Sequence, residues 1–147
     1  MKKETVITIC RGLLILLFIY ASFSKIFDPA LSKRQMMAQP FPTFLSWGLL
    51  FLIPASEIVL SVLLMIESKS KKALLASVIL MGMFTVYITT ILLNFFNRVP
   101  CSCGGVIEKL TWGQHLVFNL FFLGVALTGY LMSKSKTIRS NLPQHYT

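Results

Sequence analysis

Acidic residues are scarce in this 147-residue chain: five Asp and Glu stand against 14 Lys and Arg, for a formal net charge of +9. Charge of either sign is scarce too, at 13% of residues, whereas 55% are hydrophobic. A soluble nucleic-acid binder of this basicity would spend its residues on polar surface, so that class is excluded. Three cysteines are too few for a cysteine-dense secreted scaffold, and eight glycines are too few for a collagen-like repeat. The shortage of polar residues excludes a disordered chain. No internal repeat is present. The remaining class is a membrane protein, and the length allows one domain.

Four apolar stretches occupy about residues 6–24, 44–66, 73–96 and 112–132. Each approaches the ~20 residues that a helix needs to cross ~30 Å of hydrocarbon. None alternates strictly, so helices are expected and barrel strands are not. The fold expected is all-α, a polytopic four-transmembrane-helix bundle. Breakers separate the spans: Asp28-Pro29 and Pro40-Phe41-Pro42, then Glu67 to Lys72, then Arg98-Val99-Pro100. Thr111-Trp112-Gly113-Gln114 reads as a capping box that opens the fourth span. Pro54 is expected to kink the second span. Residues 133–147 are basic and aperiodic and read as a mobile tail. The first span has a rival reading as a signal peptide, with Met1-Lys2-Lys3 before an apolar core and a poor cleavage site at Ser22-Phe23-Ser24. A retained helix is the preferred expectation.

Orientation follows from counting basic residues. The N-terminus, the second loop and the tail share one side and hold nine of the 14 Lys and Arg. Lys25, Lys33, Arg34, Arg98 and Lys109 fall on the other side. Both termini are therefore expected in the cytoplasm. Trp47 and Trp112 then lie at the outer interface, as an aromatic belt requires.

The outer side would carry Cys101-Ser102-Cys103-Gly104-Gly105 in a compartment where disulfides persist. Cysteines at i and i+2 reach disulfide geometry only through a tight turn, which Pro100 before and Gly104 and Gly105 after can supply. Such a bond is strained, and strained exposed disulfides are the labile, oxidising kind. Arg98, Lys109 and the N-terminus of the fourth span favour a thiolate. A structural staple is a weak alternative, because so short a loop removes little chain entropy. A metal is not expected: Glu108 and His115 could join the thiols, but a second ligand pair is missing. Cys10, near the far end of the first span, reads as a small buried hydrophobe.

Arg11 and Glu57 lie within spans, where a charge costs ~2.5–3.5 kcal/mol at mid-helix on insertion scales. Their depths are similar, so an Arg11–Glu57 ion pair is expected to lock the first two spans. A proton relay is the functional alternative for Glu57. A second polar set, Tyr87, Thr90 and Asn94 with His115 and Asn119, falls on single faces of the third and fourth spans. It reads as interhelical hydrogen bonding, or as a pocket for a quinone head group or substrate disulfide with His115 as proton shuttle.

Taken together, Arg11, Ser22-Phe23-Ser24-Lys25-Ile26-Phe27 with Asp28-Pro29, Pro54-Ala55-Ser56-Glu57-Ile58, and Cys101-Ser102-Cys103-Gly104-Gly105 with Trp112, His115 and Asn119 resemble the MauE/DoxX family over roughly residues 5–132. That resemblance implies a bundle in the bacterial inner membrane. It also implies a role in disulfide formation or thiol balance of periplasmic proteins, often beside a thioredoxin-like partner. For DoxX-type relatives it implies quinone-coupled sulfur oxidation, which admits a quinone as cofactor. The chain departs from vitamin K epoxide reductase and DsbB-like enzymes, which use CxxC and a second cysteine pair.

The expected function is thiol–disulfide exchange with extracytoplasmic proteins through Cys101 and Cys103, an oxidoreductase if the exchange turns over. A non-enzymatic scaffold for a periplasmic maturation or sulfur-oxidation system, with structural cysteines, is the competing reading. A small transporter or metal-handling subunit is the third. The expected partners are the lipid bilayer and a periplasmic protein, with no nucleic acid.

Overall fold

The computed structural model of the protein describes residues 3–39, 41–93 and 112–140, with side chains of the last segment described over 113–135. The described segments form α1 (Lys3–Phe27), α2 (Pro29–Met37), α3 (Thr43–Met65), a 3-10 turn (Glu67–Lys69), α4 (Ser70–Leu92) and α5 (Trp112–Ser140). No strand occurs among the described residues. Four helices, α1, α3, α4 and α5, are long and apolar enough to cross a membrane. At 1.5 Å per residue, the 23 residues of α3 span ~35 Å, enough for the hydrocarbon layer. The chain is an all-α, multi-pass membrane protein.

The four long helices form a ring in which α1 packs on α3, α3 on α4, α4 on α5 and α5 back on α1. Neighbours run antiparallel. Arg11 meets Leu64 whereas Ser22 meets Pro54, so residue numbers rise along α1 as they fall along α3. Asn119 meets Met81 and Thr85 whereas Gly129 lies against Leu74. Lys3 meets Ser135 whereas Gly129 lies against Cys10. This is an up-down-up-down bundle. One end carries Lys3, the 3-10 turn and Ser135. The other carries Phe27, α2, Leu92 and Gly113.

The interior is built from Leu14, Phe18, Leu60, Leu64, Leu74, Met81 and Ala126. Leu16, Phe51, Met83 and Val117 point outward and are exposed, the arrangement expected where lipid takes the place of water. Cys10 is buried with the interior residues. Gly129 lets α5 pack close against α1 and α4. A Cβ placed there would lie 3.1 Å from the Cys10 Cβ and 3.1 Å from a Leu74 methyl. The Cys10 Cβ is fixed by its backbone, so a side chain at 129 requires α1 or α5 to give by a few tenths of an ångström.

Two segments differ from the sequence expectation. Asp28-Pro29 does not open a plain loop but starts a helix. The Asp28 carboxylate accepts from the Leu31 N–H at 2.9 Å, and Pro29 occupies the first helical turn, where its missing N–H costs nothing. Of the expected tail, residues 133–140 continue as the last turns of α5, and residues 141–147 lie outside the described residues. Nothing between Ser133 and Ser140 breaks a helix, and basic residues suit a helix C-terminus.

Replacing Gly129 by Leu is expected to destabilise the bundle by about 1–3 kcal/mol, the usual range for overpacking. Thermal unfolding of purified protein in detergent measures this; an unchanged midpoint would contradict the close approach of α5.

Candidate functional site

The costliest group in the bundle is the Glu57 carboxylate, 3% exposed in the middle of α3. Lys25, in the last turn of α1, neutralises it. The Lys25 Nζ donates to Glu57 Oε1 at 2.8 Å and to Oε2 at 3.0 Å, and its third donor reaches the Ala21 carbonyl at 3.3 Å. All three ammonium protons are thus used, which a buried cation requires.

The expected Arg11–Glu57 pair does not form. Side chains on a helix lean toward its N-terminus. Because α1 and α3 are antiparallel, Glu57 leans toward the α2 end of the bundle while Arg11 leans away from it. Lys25 leans back down α1, directly toward Glu57. Arg11 instead donates from Nε to the Leu64 carbonyl at 2.8 Å and from Nη2 to the Met65 carbonyl at 3.2 Å. Those carbonyls close α3 and have no partner within the helix, so Arg11 caps a neighbouring helix and meets its negative dipole end.

Around the ion pair the polar groups are satisfied by backbone. The Ser22 hydroxyl, fully buried, donates to the Pro54 carbonyl at 3.3 Å across the α1–α3 seam. Ser32 of α2 donates to the Lys25 carbonyl at 3.1 Å and ties α2 over the end of α1. Beyond α2, the Tyr87 hydroxyl donates to the Gln39 side-chain oxygen, and the Tyr87 ring stacks on Phe41 at 5.5 Å between centroids. The chain after α2 is thereby latched to α4. A cavity of about 20 Å³ lies beside Lys25, Gln35, Met36 and Pro54, room for about one water.

On the α4–α5 side, Asn119 is 5% exposed. Its amide donates to the Met81 carbonyl at 3.2 Å and to the Thr85 hydroxyl at 3.0 Å. One turn nearer the α2 end, His115 is half-buried. Lys25 is the cation that joins α1 to α3. Among the described residues, no group of three or more His, Cys, Asp or Glu side chains gathers as a metal site.

A family model described as methylamine utilisation protein MauE matches residues 3–132. The chain belongs to the MauE family. The match includes α1, α3, α4 and most of α5, both members of the Lys25–Glu57 pair and the segment containing Cys101 and Cys103. No curated protein and no solved structure matches the chain.

In this MauE chain the sequence-predicted residues divide into three groups. Cys101 and Cys103, with Arg98, Pro100, Gly104, Gly105 and Lys109, lie outside the described residues, as does Asn94. The segment that holds them leaves α4 after Leu93 and enters α5 at Trp112, so its described flanks are at the α2 end. Asn119, His115, Tyr87 and Thr90 are in the bundle. Asn119 makes the interhelical bonds expected of it, whereas Thr90 donates within its own helix, to the Tyr87 carbonyl at 2.7 Å. Arg11 and Glu57 are both engaged, with different partners.

Lys25 is the residue that sequence reasoning missed as a partner. A signal existed: Leu14, Phe18 and Ser22 are spaced by four, all buried, and Lys25 follows three later on the same stripe. A lysine continuing an inward stripe needs an acid opposite it. Thr85 and Gln39 carried no comparable signal, since each is recruited by a residue distant in the chain.

The MauE bundle should show one strong coupling. Lys25→Met leaves a buried carboxylate unpaired and is expected to cost up to ~3–5 kcal/mol. Adding Glu57→Gln to it should recover more than about 1 kcal/mol, whereas Arg11→Met and Glu57→Gln should add to within ~0.5 kcal/mol. Reversible unfolding in mixed micelles reads both cycles; strong coupling of Arg11 with Glu57 would contradict the pairing described.

Proposed function

We propose that this MauE-family protein is a membrane-embedded thiol–disulfide exchanger, with Cys101 and Cys103 as its reacting pair. The observation that carries the reading is Cys101-Ser102-Cys103-Gly104-Gly105 between two spanning helices of a MauE-family bundle. Pro100 and the two glycines favour the tight turn that a CxC disulfide needs. Arg98 and Lys109 bracket the pair in sequence and favour a thiolate.

The chemistry balances without a further reagent. A thiolate of a partner dithiol attacks one sulfur of the Cys101–Cys103 disulfide, and the other sulfur leaves as thiolate. The partner's second thiol then attacks the mixed disulfide. The partner loses two electrons and two protons, and the cysteine pair gains them. Run backwards, the same steps reduce a partner disulfide. Cys103, nearer in sequence to the α5 N-terminus, is the favoured attacking thiolate.

The excess of basic residues on the side of the termini supports cytoplasmic termini and an extracytoplasmic cysteine segment in the inner membrane. The partner class is then a thioredoxin-like or other periplasmic protein, and the family description directs the search toward proteins of methylamine utilisation.

Cys101→Ser and Cys103→Ser, expressed separately at native level, are expected to trap a mixed disulfide that reductant dissolves. Non-reducing gels followed by mass spectrometry of the adduct provide the measurement. Absence of adducts from both variants, with full function of the double variant, would overturn the exchange and favour a scaffold.

A further inference from the structure

α2 and the start of α3 present an exposed corner that thiol chemistry does not use. α2 follows the end of one spanning helix and precedes the start of the next, so it sits at the boundary between hydrocarbon and water. Gln35 and Met36 are buried against the bundle, whereas Lys33 and Arg34 are exposed. Among the described residues, Glu57 is paired with Lys25, and the Asp28 carboxylate caps the N-terminal turn of α2, before Lys33 and Arg34. α2 therefore presents two basic groups to its surroundings.

Directly beside them runs an apolar track. Phe44, Trp47 and Phe51 fall at i, i+3 and i+7 on α3 and are 78%, 42% and 67% exposed. They form one outward stripe that descends from the boundary into the hydrocarbon layer. The Lys33 ammonium lies 4.8 Å from the centroid of the Trp47 ring, which holds the charge at the top of that stripe. An ammonium resting on a ring still has donors directed away from it.

We propose that this corner binds an anionic phospholipid. Its phosphate sits on Lys33 and Arg34, and its acyl chains lie along Phe44, Trp47 and Phe51. Basic groups at the head and exposed aromatics below match an amphiphile with a charged phosphate and an apolar body, which neither a soluble anion nor an acidic protein surface supplies. The interaction fixes α2 against the bilayer.

The test uses fluorescence of Trp47 in a Trp112→Phe background, in bilayers of phosphatidylcholine containing a minor fraction of bromine-labelled lipid. Bromine quenches indole only on contact. Brominated phosphatidylglycerol should be preferred over brominated phosphatidylcholine roughly ten- to thirty-fold in the quenching isotherm, the value for two basic residues at a surface. Lys33→Gln with Arg34→Gln should abolish the preference. If Trp112→Phe does not fold, the wild-type protein should show the same preference and Trp47→Phe should lose it. Equal quenching by the two lipids would overturn the proposal. So would inorganic phosphate that displaces the brominated phosphatidylglycerol at millimolar concentration, since the site would then recognise a free anion.

Discussion

A carboxylate in hydrocarbon must be paired, and the pairing of Glu57 with Lys25 organises one end of this bundle. The pair joins α1 to α3. The Lys25 carbonyl anchors Ser32 of α2. Each link follows from the need to satisfy polar groups where water is absent. Burying two charges is weak evidence for stability, because a well-packed apolar pair of similar volume often does as well. What the pair does supply is register: Glu57 is satisfied only when the end of α1 stands at one height against α3.

Arg11 sets the opposite end by a different means. Its guanidinium closes the last turn of α3 through the Leu64 and Met65 carbonyls. Lys25–Glu57 and Arg11–α3 thus clamp the same helix pair at two heights, 14 residues or ~21 Å apart along α1. Between the clamps lies the core packing of Leu14 and Phe18 against Leu60 and Leu64. The α4–α5 pair has no comparable ion pair in its described part and relies on the Asn119 bonds and on the close approach at Gly129.

The described flanks of the cysteine segment, at the ends of α4 and α5, lie at the end where Lys25, α2 and His115 are found. A reacting loop benefits from a rigid platform, since loops vary while the elements that carry them stay fixed. On the proposed function, the clamped end provides that platform, and α2 with its basic and aromatic corner provides its contact with the bilayer. Lys3, Ser135 and the 3-10 turn occupy the other end, where Lys3 meets Ser135.

Hydropathy alone determined the four spans, the all-α class and the exclusion of a soluble basic protein, because the length of apolar run needed to cross a bilayer is a physical constant. Asn119 as an interhelical donor and Cys10 as a buried apolar residue were legible for a similar reason: position on a helix face is fixed by the 3.6-residue repeat. Partner choice was not legible in this way. The partner of Glu57 depends on which way two side chains lean once the helices are antiparallel, and that is a property of three dimensions. Counting depth along each helix made Arg11 the nearer cation, and tilt made it the wrong one. Asp28-Pro29 was legible in part: the dipeptide marks a break, and an N-cap Asp before a first-turn Pro also starts a helix, while packing on α1 and α3 fixes where that helix lies. Sequence determined which residues must be inside; tertiary structure decided which of them meet, because pairing depends on helix direction and height as well as on residue type.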